Sequence, residues 1–163
     1  MPSEFELIAR HFTRAPHAGG PVLLGVGDDC ALLSPPAGEV LAVSTDMLVE
    51  GRHFLSTVDP EALGHKALAV NLSDLAACGA QPQACTLNLT LPRTDPAWLQ
   101  GFARGFYALA DEHGIVLAVG DTTGGPLSIT VTVMGTVPAG AALLRSGAKA
   151  GDEALPEPGE GWG

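Results

Sequence analysis

Residues 59–91, DPEALGHKALAVNLSDLAACGAQPQACTLNLTL, contain a helix signal followed by a strand signal. Asp59 can cap a helix, Pro60 suits its first turn and Gly79 is a suitable stop, so we predict a helix from about residue 60 to 78. Its side chains are apolar almost all round, which is typical of a buried helix. Residues 85–91 alternate apolar and polar side chains, as a half-buried strand does. This stretch therefore supplies one element of each kind.

The flanking sequence repeats both signals. A short amphipathic helix is predicted over residues 4–14, and a second Asp-Pro pair at Asp95 begins a helix that reaches Gly114. Strands are predicted at residues 22–26, 40–44, 115–119 and 128–137, from apolar runs or strict alternation. Five strands and three helices with mixed connections predict an α/β or α+β fold.

Composition limits the function classes. The chain has 163 residues, is 46% hydrophobic and carries a formal charge of −10. It is long enough for one globular domain with a core, and its acidity argues against nonspecific binding to nucleic acid or anionic lipid. Three cysteines without a CxxC pair indicate reduced thiols more than disulfides or zinc. With no secretory signal and no apolar run of about 20 residues, we expect a cytoplasmic protein.

Acidic side chains follow three of the five predicted strands. Asp28 and Asp29 come after the strand at 22–26, Thr45 and Asp46 after 40–44, and Asp121 after 115–119. Because ligands of open α/β sheets lie beyond the carboxyl ends of the strands, these acids are expected to converge. Helical spacing places Asp74 on the stripe of Leu63, Val70 and Ala77, so its carboxylate is predicted to face inward.

Several carboxylates in one site need countercharge. Oxygen ligands suit hard divalent cations, and Mg²⁺ is usually held by one or two carboxylates plus substrate phosphates. The residues therefore predict a magnesium-dependent site that handles phosphates. Two structural alternatives stay open: each Asp can stabilise a turn through nearby backbone amides, and Lys66 or Arg145 can pair with Asp74 without any metal.

Six motifs in the same order give a more specific indication. EFELIARHF, LGVGDDCALL, STDMLVEGRHF, KALAVNLSDLAACGA, GDTTGGPLSITVTVMG and RSGAKAGD, spread over residues 4–152, closely resemble the N-terminal domain of the thiamine-monophosphate kinase family. That family is related to aminoimidazole ribonucleotide synthetase. The resemblance implies the N-terminal domain of that fold, with a mixed sheet flanked by helices that pairs across a homodimer. It also implies ATP as co-substrate, several Mg²⁺ ions, and transfer of the γ-phosphoryl group to thiamine monophosphate, which gives thiamine diphosphate.

The resemblance also assigns roles to individual residues. The implied magnesium ligands are Asp29, Ser44, Thr45, Asp46, Asp74 and Asp121, with Asp28 a weaker candidate. His53 resembles the position that contacts the thiamine phosphate, and Gly120, Asp121 and Arg145 resemble nucleotide contacts. An ion pair with Asp152 is the structural alternative for Arg145. No protein nucleophile is implied, because in-line phosphoryl transfer needs positioning and charge neutralisation.

The sequence departs from the family pattern at its end. Residues 1–152 are expected to form an ATP- and Mg²⁺-binding, dimerising domain, and residues 153–163, EALPEPGEGWG, a disordered or aberrant tail. The family's second domain is expected to be absent, so inactivity of the chain alone is one expected outcome. The alternatives are a noncatalytic dimerising fragment that binds nucleotide and Mg²⁺, an ATP-dependent synthetase of the same superfamily, or an unrelated acidic domain.

Overall fold

The computed structural model describes residues 4–16 and 18–153 of the chain. The helices in these ranges are α1 (Glu4–His11), α2 (Pro60–Ala77) and α3 (Pro96–His113). The strands are β1 (Val22–Leu24), β2 (Leu32–Leu33), β3 (Glu39–Val49), β4 (Gln81–Leu91), β5 (Val116–Gly124) and β6 (Ser128–Pro138). A short 3₁₀ turn covers Arg145–Gly147. The predicted tail lies outside the described residues, except for Glu153.

Four long strands form a mixed sheet in the order β3-β6-β4-β5. β6 pairs antiparallel with both β3 and β4, whereas β4 and β5 are parallel. The parallel pair needs a crossover, which α3 provides. The predicted α/β class with a mixed sheet is confirmed.

The two long helices cover one face of the sheet, which we call the helix face. Phe102, Phe106, Leu63 and Leu68 fill the core there together with Ile129 and other inward side chains of β6 and β4. The predicted caps are confirmed. The Asp59 carboxylate accepts from the amide of Ala62, and the Asp95 carboxylate accepts from the amides of Ala97 and Trp98. Gly114 ends α3 in a left-handed conformation, with φ of 65°.

Helix α2 is less buried than its apolar sequence predicts. Glu61, His65 and Lys66 point to solvent, as do Ala76 and Ala77. The buried stripe consists of Leu63, Gly64, Ala67, Leu68, Asn71, Leu72 and Leu75. The predicted inward stripe of Leu63, Val70 and Ala77 was therefore wrong in part, since Leu63 is buried but Ala77 is exposed. The reason is that α2 packs its apolar side against α3 as well as against the sheet.

Two glycines let α2 and α3 pack closely. A Cβ atom on Gly105 of α3 would overlap the carbonyl oxygen of Glu61, and one on Gly64 of α2 would overlap that of Phe102. The helix backbones therefore touch at this crossing, which a larger residue on either helix would force apart.

The opposite face, which we call the open face, is only partly covered. The β1–β2 hairpin packs there through Val22, against Ala84 of β4 and Ala118 of β5. Leu41, Val43 and Met47 of β3 remain exposed on this face, and Val43 retains 61% of its accessible surface. The sheet therefore has one helix-covered side and one half-bare side.

Several predicted element bounds were wrong. The helix predicted over 4–14 ends at His11, and the strand predicted over 22–26 ends at Leu24. Strand β3 continues past residue 44 because backbone pairing with β6 extends to Val49, and β5 continues past residue 119 because pairing with β4 extends to Gly124. The two-residue strand β2 was not predicted. Within residues 4–16 and 18–153, no helix combines the length and the apolarity needed to cross a bilayer.

Candidate metal site

Strand β3 and helix α2 bring three oxygen-bearing side chains to the helix face. Ser44 and Asp46 stand two residues apart on β3, so they share one side of the strand. Asp74 reaches them from α2, where its Oδ2 accepts a 2.6 Å hydrogen bond from the Ser44 hydroxyl. All three side chains are half-buried. The prediction that Asp74 faces inward is confirmed to this extent: it points to β3, at the border of the core.

Neither of the two ion pairs considered as structural alternatives forms at Asp74 in the described part of the chain. Lys66 donates instead to the carbonyl oxygen of His53, over 2.8 Å. The ion pairs in the described ranges join Arg14 to Asp111, Arg93 to Asp95 and Arg104 to Glu61. The Asp74 carboxylate is therefore left with a hydroxyl donor, which leaves it available for a cation.

Thr45 points to the open face, away from Ser44 and Asp46. Its hydroxyl donates to the carbonyl oxygen of Val131 at 3.2 Å and shares a 2.8 Å hydrogen bond with the hydroxyl of Thr132. The side chain thus serves the sheet in this structure. Because the Thr45 side chain does not lie beside those of Ser44 and Asp46, its position does not support the predicted role as a magnesium ligand.

Asp121 lies on the open face near the other edge of the sheet. Asp121 of β5 pairs with Asn88 of β4. The residue before it, Gly120, belongs to a row of paired residues that crosses the sheet, and the other members of this row are Leu87, Val131 and Asp46. Three inter-strand steps of about 4.8 Å put about 14 Å between the β3 and β5 ends of that row. The Asp121 carboxylate accepts from the amide of Thr122, at 2.9 Å. The structure therefore does not bring Asp121 to Asp46 within one chain.

The expected convergence of acids at strand ends was wrong. Thr45 and Asp46 lie inside β3, and Asp121 lies inside β5, because both strands run several residues beyond the apolar runs that predicted them. In the described part of the chain, no three His, Cys, Asp or Glu side chains meet in a group that could hold a metal ion. The acids are divided between the two faces of the sheet.

Asp28 and Asp29 lie in the loop after β1. The Asp28 carboxylate accepts from the amide of Asp29 at 2.8 Å, as in the turn interpretation. Both side chains are exposed. Asp28 therefore stabilises the loop, whereas the side chain of Asp29 is presented to solvent.

His53 belongs to the tight turn that follows β3. Its Nδ1 accepts from the amide of Val49 at 3.0 Å, which leaves Nε2 as the protonated nitrogen of a neutral ring.

Arg145, in the 3₁₀ turn, is exposed, and the carboxylate of Asp152 accepts from the amide of Lys149. The alternative for Arg145, an ion pair with Asp152, is not among the ion pairs of the described residues.

Gly120 has a structural explanation that does not depend on any ligand. A Cβ atom there would overlap the carbonyl oxygen of Leu87 in the neighbouring strand. A cleft of about 710 Å³ between Pro16, residues 18–23 and residues 34–37 contains none of the predicted site residues, whereas a much smaller cavity beside β5 is lined by two of them, Gly120 and Asp121. That small cavity is otherwise lined mainly by apolar side chains such as Phe12 and Leu87. The group on β3 and α2 is thus the best-supported part of the predicted site.

The donors of this group fit a small hard cation. Ser44, Asp46 and Asp74 supply only oxygen atoms, and two carboxylates are the number by which Mg²⁺ is usually held. A fourth polar residue, Asn71, is buried on α2, three residues before Asp74, and its Oδ1 has no hydrogen-bond partner in the part of the chain that the structure describes. Sequence reasoning missed Asn71, although it is the one amide on the buried stripe of α2.

Comparison with known proteins gives the family. A family model described as AIR synthase related protein, N-terminal domain, matches residues 27–137. The thiamine-monophosphate kinase of Escherichia coli (strain K12) is 56% identical over 149 residues, which are 91% of this chain and 46% of that protein. The corresponding Salmonella typhimurium kinase is 55% identical over the same length. The chain thus spans about half the length of the relatives that it matches.

Solved structures agree with these matches. Thiamine-monophosphate kinase from Stenotrophomonas maltophilia K279a superposes with a TM-score of 0.72 at 53% identity, over 77% of this chain and 40% of that one. AaThiL in complex with AMPPCP and TMP superposes with a TM-score of 0.61 at 29% identity, over 64% of this chain and 34% of that one. The resemblance predicted from six motifs is confirmed. The chain belongs to the family of AIR synthase related proteins, whose N-terminal domain it contains.

Proposed function

We propose that this chain forms the Mg²⁺- and ATP-binding part of a kinase that transfers the γ-phosphoryl group of ATP to thiamine monophosphate, giving thiamine diphosphate. The observation that carries the proposal is the Ser44–Asp74 hydrogen bond of 2.6 Å, which places a carboxylate of α2 beside the helix face of β3. This arrangement occurs in a chain 56% identical to the kinase of Escherichia coli. A related AaThiL structure binds AMPPCP and TMP.

Phosphoryl transfer suits these residues. The transition state spreads negative charge over phosphate oxygens, so catalysis depends on positioning and charge neutralisation. Bound Mg²⁺ supplies that neutralisation. Asp46 and Asp74 would hold the cation, and the Ser44 hydroxyl keeps the Asp74 carboxylate oriented toward β3. Direct transfer then needs no nucleophile from the protein.

The remaining predicted residues have supporting roles in the proposal. Asp29, in the loop after β1, and Asp121, on β5, would hold further Mg²⁺ ions apart from the group on β3 and α2. Thr45 would contribute its hydroxyl to such an ion by giving up its hydrogen bonds to Val131 and Thr132. Arg145 is exposed and offers a fixed positive charge for a phosphate oxygen. His53 presents its Nε2–H as a donor to the thiamine phosphate, since Nδ1 is already occupied by Val49. Gly120 allows the nucleotide to approach the backbone of β5.

A homodimer through the open face is part of the proposal. The exposed side chains of β3 there are Leu41, Val43 and Met47, and the neighbouring strands contribute threonines such as Thr132 and Thr86. The charged residues that the register of β3 to β6 places on this face are Asp121 and, at the start of β3, Glu39. A surface of apolar and hydroxyl side chains with so little charge is typical of an interface.

We also propose a cytoplasmic location. Cys30, Cys78 and Cys85 are all free thiols, and Cys30 is exposed. Exposed thiols persist in the reducing cytosol, whereas oxidising compartments favour disulfides.

The test uses calorimetry and turnover on the same 163-residue chain. We expect Mg²⁺·AMPPCP to bind, and ADP to form from ATP only when thiamine monophosphate and Mg²⁺ are both present. Asp46→Asn should weaken Mg²⁺-dependent binding by at least about tenfold, since the loss of even an outer-shell partner of a metal ligand costs that much. Glu39→Gln, which removes an acid from the other end of β3, should leave binding unchanged.

The outcomes separate the alternatives. Binding without turnover would support the hypothesis of a noncatalytic fragment, which binds nucleotide and metal but does not transfer phosphate. ATP hydrolysis at the same rate without thiamine monophosphate would contradict the kinase. Equal metal affinity of Asp46→Asn and wild type would indicate that the acids of β3 and α2 are structural only.

A further inference from the structure

Asn71 is the most buried polar side chain in the described part of the chain. It lies in the middle of α2 with 1% of its surface exposed. Its Nδ2 donates to the carbonyl oxygen of Ala67, one helical turn earlier, over 3.0 Å. This bond fixes the orientation of the amide, because only the nitrogen can donate to a carbonyl. Oδ1 is therefore the atom left without a partner.

An apolar residue would suit this position better if only packing mattered. The neighbours of Asn71 on the buried stripe are Leu68, Leu72 and Leu75. A buried acceptor without a donor is unfavourable, since it loses its hydrogen bond with water on folding. The amide thus calls for a ligand that supplies a donor.

Two contacts give the direction of α2 relative to β3 and the turn that follows it. The first joins Ser44 to Asp74 over 2.6 Å, and the second joins His53 to Lys66 over 2.8 Å. Residue numbers rise along β3 as they fall along α2, so the two elements run antiparallel.

The spacing of the two elements places Asn71 at about the level of Asp46 along β3. Three residues of helix rise by about 4.5 Å, which corresponds to between one and two residues of strand at about 3.3 Å each. Moving from Asp74 to Asn71 therefore matches moving from Ser44 nearly to Asp46. Residues three apart also neighbour each other on a helix surface, so Asn71 adjoins Asp74.

We propose that Asn71 is a positioning residue for the cation, and that its Oδ1 accepts a hydrogen bond from the hydration shell of Mg²⁺ held by Asp46 and Asp74. This inference rests on the proposed function, because it requires the metal site. Mg²⁺ releases its water reluctantly, and its waters are strong donors that need acceptors. A neutral amide provides one without adding negative charge beside substrate phosphates. The buried position of Asn71 also fixes the acceptor in place.

The test compares two near-isosteric variants by Mn²⁺ titration, with free Mn²⁺ followed by electron paramagnetic resonance. Asn71→Leu removes the acceptor and should lower Mn²⁺ affinity about tenfold. This is the lower end of the loss in metal affinity that follows mutation of an outer-shell partner. Asn71→Asp keeps an acceptor oxygen and should bind Mn²⁺ at least as tightly as wild type. A purely structural amide would give equal Mn²⁺ affinity in wild type and Asn71→Leu, which would overturn the inference.

Thr136→Val is the matched control. Thr136 is the other buried polar residue, with 2% exposure, and it bonds to Gln83 at the far end of β6. Its replacement should leave Mn²⁺ affinity unchanged. Equal losses in Thr136→Val and Asn71→Leu would mean that general destabilisation causes the effect, and would contradict a specific role of Asn71.

Asp74→Asn separates this inference from the proposed function. If Asp74→Asn loses Mn²⁺ binding while Asn71→Leu keeps it, the role of Asn71 fails and the metal site stands. If Asp74→Asn also binds normally, the metal site fails and the inference fails with it.

A measurement on the wild-type chain avoids any folding defect of the variants. The side-chain amide signals of Asn71 should shift in a ¹⁵N correlation spectrum when Mg²⁺ is added, because Oδ1 gains a hydrogen bond. Signals that stay in place at saturating Mg²⁺ would overturn the inference.

Discussion

Tyr107 shows how one residue couples packing to charge. It is the single tyrosine of the chain, and its ring carries the Arg14 guanidinium at 3.6 Å from the centroid. Arg14 also bonds both carboxylate oxygens of Asp111, at 3.0 and 3.1 Å. The Tyr107 hydroxyl is buried without a hydrogen-bond partner among the described residues. Burial raises the pKa of Tyr107 to about 12, although the nearby Arg14 cation opposes the rise.

This shift predicts a loss of stability in alkali. An unfolded tyrosine ionises near pH 10, whereas folded Tyr107 keeps its proton to about 12. Between these values the unfolded state releases the proton first, so the free energy of unfolding falls as pH rises. Tyr107→Phe should lessen this fall in urea unfolding at pH 8 and pH 11. It should also leave stability at pH 8 equal or higher by about 1 kcal/mol, since it removes an unpaired hydroxyl. An unchanged alkaline loss would exclude Tyr107 as its source.

The thiols are predicted to differ in reactivity. Burial raises the pKa of Cys85 to about 12, while Cys30 is exposed. A disulfide reagent should therefore modify Cys30 rapidly at pH 8 and reach Cys85 only after denaturant is added, because the thiolate is the reactive form. Cys30→Ser should remove the fast phase of thiol release. Rapid reaction of two or more thiols in that variant would show that the core opens readily.

At the scale of elements, the crossing of α2 and α3 is a point of high sensitivity. Gly105→Ala should destabilise the protein by about 2 kcal/mol or more in urea unfolding, because the added methyl overlaps backbone and not a movable side chain. Gly147→Ala is the control, since a Cβ atom at Gly147 meets nothing within 4 Å. A stable Gly105→Ala variant would mean that the helices separate easily.

Element types and helix caps could be predicted from the sequence, but strand lengths could not. The Asp59 and Asp95 caps act locally, so their signals are contained in a few residues. Asp46 interrupts the apolar run of β3, and only pairing with β6 shows that the strand continues to Val49. Likewise, the β-bulge between Cys85 and Thr86 shifts the β4–β5 register, and that register determines the face on which Asp121 lies.

The same distinction applies to the candidate site. The residue types that hold Mg²⁺ could be predicted from chemistry and from resemblance. Their grouping could not, because Ser44 and Thr45 point to opposite faces of one strand. Asn71 left a usable signal, since an amide among leucines on a buried helix is unusual.

At the scale of the whole molecule, the open face predicts association. Val43→Asp places a charge in the centre of the exposed apolar side chains and should convert the proposed dimer to a monomer in analytical ultracentrifugation. His65→Asp, on the exposed side of α2, should leave the sedimentation coefficient of the dimer unchanged. A wild-type chain that sediments as a monomer at high concentration would contradict the proposed interface.

Strand β3 is also an edge of the sheet, with β6 as its neighbour on one side. About half of the eleven residues from Glu39 to Val49 therefore point their amide and carbonyl groups outward in the plane of the sheet, because alternate residues bond to β6. Such an edge can template the addition of a foreign strand, which is a common beginning of aggregation. Asp46 lies inside this edge and points toward the helices, and an inward acid on an edge strand discourages that addition. The carboxylate that we assign to a cation would thus also protect the chain from polymerising along β3.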